Sequence, residues 1–187
     1  MIKNLVVFGC GWTHGVESKT SYPQIIANHF NWTLIDFSGP ITTLGDMIDD
    51  FEEWVAGTTA KDREESFVLI GLTNEDRASD YKEDFLKSLN YQPENFGEQN
   101  YIHTVNTFNR IATHNNINLL QFNVLTRQYK IKLPTLTESS SALEMLAIRD
   151  KPRKEPLFTE HKFPNEKGHQ VLADFLIEKI NSAIIVE

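Results

Sequence analysis

At 187 residues, with 40% hydrophobic and 24% charged positions, the chain has the size and balance of one globular domain with a substantial core. Its formal net charge of −8 argues against the cationic surface that holds a phosphate backbone, so nucleic acid is not expected as a partner. No apolar run approaches the roughly 20 residues of a membrane helix, and the single cysteine, Cys10, excludes an internal disulfide and points to a reducing, cytoplasmic setting.

Leu5 to Phe8 is a short, continuous apolar run ended by glycine, the pattern of a strand buried on both faces. It is too short for the apolar stretch of a signal peptide. Residues 9 to 21 read as a long polar loop, and Tyr22 to Phe30 as a helix with Pro23 in its first turn. Trp32 to Phe37 reads as the second strand, broken by Ser38-Gly39-Pro40. Leu44, Ile48, Phe51 and Val55 recur at helical spacing and give a helix with one apolar stripe.

Ser66 to Leu72 is the third expected strand, and Ile117 to Phe122 the fourth. Between them Tyr101, Val105, Phe108 and Ala112 mark another helix. From Val124 to Phe163 the pattern fades among Pro134, Pro152, Pro156 and the Ser139–Ser141 run, which reads as surface loop with room for a short helix over Leu143 to Ile148. A helix from about Asn165, with Val171, Leu172, Phe175 and Ile180 inward, closes the chain. Strands alternating with amphipathic helices predict an α/β fold: a three-layer α/β/α sandwich with a central parallel, flavodoxin-like sheet, one domain over 1–187.

Ligands of an open parallel sheet collect beyond the carboxyl ends of its strands, so the loops that follow the strands carry the chemistry. They are Gly9-Cys10-Gly11-Trp12-Thr13-His14-Gly15, then Ser38-Gly39-Pro40, then Thr73-Asn74-Glu75-Asp76-Arg77. The last loop runs Glu160-His161-Lys162-Phe163-Pro164-Asn165-Glu166-Lys167-Gly168-His169 into the closing helix.

In this order the loops resemble the sequence blocks of the SGNH (GDSL-type) hydrolases, over nearly the whole chain. The opening is similar to short, phage-encoded forms that begin GCSxTxG. That family cleaves acyl or acetyl esters with a serine nucleophile, a histidine base and an aspartate three residues before the histidine. The resemblance implies that Gly11 stands at the serine, Cys10 at the preceding aspartate, and Gly39 and Asn74 at the oxyanion donors. Pro164-Asn165-Glu166-Lys167-Gly168-His169 is similar to the family's HPNxxGH run, with Phe163 at the catalytic histidine and Glu160 at the orienting aspartate. His161 lies two residues early.

The candidate catalytic residues are therefore Glu160, His161 and Cys10, and the candidate binding residues Gly11, Gly39, Asn74 and His14. Each has a plainer reading. Gly11 suits any tight turn, Cys10 a strand-end core position, Asn74 a loop cap, and Glu160 with His161 a solvated loop. No HxH or HExxH spacing asks for a metal, and no cofactor is implied.

Three functions stay open. One is a weakened or altered esterase acting on a small ester or an acylated carbohydrate. Another is a non-catalytic binding or structural protein on the same fold. The third is a Rossmann-like nucleotide binder, suggested by Gly9, Gly11 and Gly15 after a strand and Asp36 ending the next. Oligomeric state is not readable.

Overall fold

The computed structural model describes residues 1–73, 96–124, 141–143, 146 and 156–184. Asn74 and most of the helix expected over 143–148 lie outside the described residues. The elements are β1 (Asn4–Gly9), α1 (Gly11–His14), α2 (Tyr22–Phe30), β2 (Thr33–Asp36), α3 (Leu44–Gly57) and α4 (Ala60–Glu64). They continue with β3 (Ser66–Leu72), α5 (Phe96–His114), β4 (Asn118–Asn123) and α6 (Glu166–Ile184).

The four strands form one parallel sheet in the order β2-β1-β3-β4. In register, Val6 pairs with Ile35 on one side and Val68 on the other, and Val68 with Leu119. The chain leaves β1 toward β2 and returns to place β3 on the other side of β1, so the switch point opens between the carboxyl ends of β1 and β3. Every residue of β3 is buried, which is why its sequence is a continuous apolar run rather than an alternation.

Side-chain alternation sends Phe8 to one face of the sheet, where it stacks on Phe37 and meets Phe51 and Trp54 of α3 edge-on. Phe51 in turn meets Phe108 of α5, so α3 and α5 form one outer layer. On the other face α2 packs on α6. The result is a three-layer α/β/α sandwich with a flavodoxin-like strand order.

The helix starts follow from capping chemistry. Thr43 and Asp46 form a reciprocal capping box at α3, and Thr59 and Asp62 do the same at α4. Two of these elements depart from the sequence reading. Residues 11–14 form a helix inside the expected loop, and α4 was not anticipated. Neither is long enough to show a periodicity. Among the described residues no helix is long and apolar enough to cross a membrane.

Candidate functional site

At the switch point, Gly9 and Gly71 are register partners, and Gly71 pairs onward with Phe122. Two neighbouring residues without side chains make a notch in the sheet face. Fully buried Thr13 of α1 fills it: a Cβ on Gly71 would lie 2.6 Å from Thr13 Oγ1 and 2.9 Å from the Tyr22 hydroxyl, and one on Gly9 would overlap Thr13 as well. The Tyr22 hydroxyl donates to Thr13 Oγ1 at 2.8 Å, and its ring meets Phe122 edge-on at 5.8 Å. Burial pushes the Tyr22 phenol well above its usual range, which keeps it a neutral donor. The sequence reading missed this pair, although a glycine inside the apolar β3 signals a close approach.

Gly11 is buried as the first residue of α1, and among the described glycines only Gly15 has positive φ. The tight-turn explanation of Gly11 is thus replaced by one of space. A Cβ there would stand 3.2 Å from the Pro40 carbonyl oxygen, 3.3 Å from Val16 Cγ2 and 3.4 Å from Pro40 Cα. The loop after β2 folds over the position that the resemblance gives to a nucleophile.

Of the neighbouring candidates, Gly39 and Cys10 are also committed to the fold. The Gly39 amide donates to the Gly9 carbonyl at 3.1 Å, so it is committed to the backbone rather than to an oxyanion. Cys10 is a free thiol, 2% exposed, in the hydrophobic core. His14 is exposed at the end of α1. Phe163 is half-buried and packs against the core.

The nucleotide-binding arrangement does not fit. Gly15 caps the C-terminus of a four-residue helix, where that motif needs a glycine near a helix N-terminus. The Asp36 carboxylate accepts from the Ser38 amide at 2.8 Å and its hydroxyl at 2.6 Å, closing its own turn instead of facing a ribose.

The last loop is a tight hairpin. Phe158 and Pro164 form an antiparallel bridge, the Thr159 amide donates to the Phe163 carbonyl at 2.8 Å, and Lys162 takes the left-handed conformation at φ 66°. The hairpin lies against α1, where the Phe158 and Trp12 rings are 6.0 Å apart. At its tip His161 Nδ1 stands 2.5 Å from Oε1 of Glu17, while Glu160 Oε1 is 3.9 Å from His161 Nε2 and its side chain 86% exposed. The acid that holds the imidazole is therefore Glu17 from the first loop, not Glu160.

A hydrogen bond from the Thr159 hydroxyl, followed by that from His161, holds the Glu17 carboxyl below its usual range. Glu17 also has φ 66°, and it borders an open depression of about 450 Å³ whose wall includes Pro156, Asn165, Glu166 and Lys167. Glu17 was not among the candidates because 144 positions separate it from His161 and no local spacing links them.

Asn165 caps α6, its side-chain oxygen accepting from the Lys167 and Gly168 amides, each at 3.0 Å. One turn on, His169 is fully buried, accepts at Nδ1 from the Tyr22 amide at 3.2 Å and stacks on the Tyr22 ring. Its Nε2 has no hydrogen-bond partner among the described residues. Burial lowers its pKa from the usual 6.5 to about 4, so the ring is neutral near pH 7. Among the described residues no three His, Cys, Asp or Glu side chains gather as metal donors.

A parallel sheet in this order between paired helices, with the loops after β1 and before α6 brought together, is the fold of the SGNH (GDSL-type) hydrolases. By sequence the chain matches no family model and no curated protein. By structure it is similar to a G-D-S-L-family lipolytic protein from Veillonella parvula, at TM-score 0.51 and 10% identity, covering 94% of this chain and 97% of that one. It is similar as well to a lipase from a goat rumen metagenome, at TM-score 0.54 and 13% identity over 97% of both chains. A psychrotrophic esterase from Pseudoalteromonas, solved with monoethylphosphonate as inhibitor, gives TM-score 0.51 and 13% identity over 97% of this chain and 98% of its own.

Proposed function

We propose that the chain binds a small ester or an acylated carbohydrate on a hydrolase-type fold from which serine-dependent ester cleavage has been lost. One observation carries this reading. Gly11, which the resemblance aligns with the nucleophile, has no hydroxyl and is buried against Pro40, where even a Cβ would be tightly packed. A serine side chain would begin 3.2 Å from a backbone carbonyl oxygen, so the Pro40 loop would have to give by a few tenths of an ångström to admit it. The half-buried ring of Phe163, at the position aligned with the base, supports the same reading. The likeness in fold to a lipolytic protein, a lipase and an esterase supports an ester as the ligand.

An acyl-serine route leaves a kinetic signature, a burst of released alcohol equal to the enzyme present. Rapid mixing with nitrophenyl acetate and nitrophenyl butyrate is expected to give no such burst. A stoichiometric burst with either ester overturns the reading.

A further inference from the structure

We propose that the hairpin of residues 156–164 and the first turn of α6 form an acid-released latch, one docked unit that leaves α2 and α1 when His169 takes up a proton, while the sheet stays folded. The unit is tied together from within. Asn165 donates through Nδ2 to the Pro156 carbonyl at 2.8 Å and through its amide to the Leu157 carbonyl at 3.0 Å, and its side-chain oxygen holds the Lys167 and Gly168 amides. Gly168 sits so close to the hairpin that a Cβ there would overlap the Leu157 carbonyl oxygen. The Phe158–Pro164 bridge closes the hairpin itself. This unit meets the rest of the molecule at its base and at its tip. At the base, Phe158 contacts Trp12 of α1, and His169 stacks on Tyr22 of α2. At the tip, Thr159 and His161 both hydrogen-bond the Glu17 carboxylate.

The base is the end that acid loosens. His169 Nδ1 accepts from the Tyr22 amide, so the neutral ring carries its proton on Nε2, which is buried without a partner among the described residues. The docked contact thus already holds an unpaired donor out of water, a cost that release removes. A second proton, on Nδ1, would face the Tyr22 amide donor. The titratable group set against the ring is the Tyr22 phenol, which burial keeps neutral. Glu166, Lys167 and Asp174 of α6, His29 of α2 and the charged tip of the hairpin are exposed, and burial alone lowers the His169 pKa, to about 4. In the released unit the ring returns to 6.5, so docking is full above that pH and weakens as the pH falls toward 4. Hydrogen bonds from Thr159 and His161 hold the Glu17 carboxyl below its usual range, so the tip carboxylate is still charged while the base weakens. Release uncovers Trp12, in the loop that follows β1.

Amide hydrogen exchange resolved by NMR tests the latch on the whole chain, because the Tyr22 amide bonds directly to His169. The comparison is with His169→Gln, which keeps an acceptor for that amide, shares the tip and does not titrate. After correction for the intrinsic pH dependence of exchange, Tyr22 protection in the wild-type protein falls from its pH 7 value by more than in His169→Gln. The excess is expected to be about eightfold at pH 5.5 and about fiftyfold at pH 4.5. At each pH, Tyr22 stays well below Val68 and Leu69 of β3, which are paired on both sides and report opening of the whole fold. Glu17→Gln loosens the tip and lowers Tyr22 protection at pH 7 by roughly two- to fivefold. Equal protection of Tyr22 and β3, no pH dependence at Tyr22, the same fall in His169→Gln, or no effect of Glu17→Gln on Tyr22 overturns the latch. Should His169→Gln fail to fold, the comparison of Tyr22 with β3 across pH in the wild-type protein still decides.

Discussion

Acid is the sharpest probe of the α2–α6 contact, because that contact is closed by a neutral histidine. His169 is fully buried, accepts from the Tyr22 amide through Nδ1, and has a pKa of about 4 in place of the usual 6.5. Protonation would turn Nδ1 into a donor facing a donor and place a charge in the core. The unfolded chain therefore takes up the proton first. Stability is full above about pH 6.5, falls by about 1.4 kcal/mol for each pH unit down to about pH 4, and this contribution then levels off, a loss of roughly 3 kcal/mol. For a domain of ordinary stability that is a large fraction of the total. Urea unfolding at pH 7, 5.5 and 4.5 measures it, alongside His169→Gln, which keeps an acceptor for the Tyr22 amide and does not titrate. The wild-type protein is expected to lose the larger amount between pH 7 and 4.5, with the difference close to the value above. Parallel loss in the two proteins would refute the assignment to His169.

Three further outcomes follow from the notch and the helix caps. Gly71→Ala pushes a methyl against Thr13 and Tyr22 and is expected to cost about 1–3 kcal/mol, read as a lowered melting temperature. Tyr22→Phe leaves the Thr13 hydroxyl buried without its donor, at a cost of about 1–3 kcal/mol in urea unfolding. Thr43→Ala removes the side-chain acceptor at the start of α3 and is expected to cost about 1 kcal/mol, with unchanged circular dichroism in the native state.

The layers of the fold were legible because burial writes itself into composition. β3 is buried at all positions and its sequence, Ser66 to Leu72, is a run without alternation. α2 was readable from Pro23 in its first turn and the spacing of Ile25, Ile26 and Phe30, and the structure adds Asn31 in the left-handed conformation as its cap. The four-residue α1 was not readable, since one turn has no period to detect. The site was legible only as a set of loops. Sequence order brought the loops after β1 and before α6 together, but which side chains meet across them depends on long-range docking. Hence the resemblance put Glu160 at the position of the orienting acid, three residues before Phe163, while Glu17 holds His161 by geometry. Gly11 stood out as an absence, and only the docking of Pro40 and Val16 against it shows how little room a side chain has there. Asn74 lies outside the described residues.

The claim that the serine route is closed at Gly11 meets its most direct test in covalent labelling. An activated ethyl phosphonate reacts with a serine nucleophile held beside a base, and intact mass spectrometry counts the adducts. The wild-type protein is expected to stay at its own mass, and Gly11→Ser also, because Phe163 stands at the position aligned with the base and its ring packs against the core. One phosphonate per chain on the wild-type protein, mapped to the residues between Gly9 and Thr20, would contradict the account.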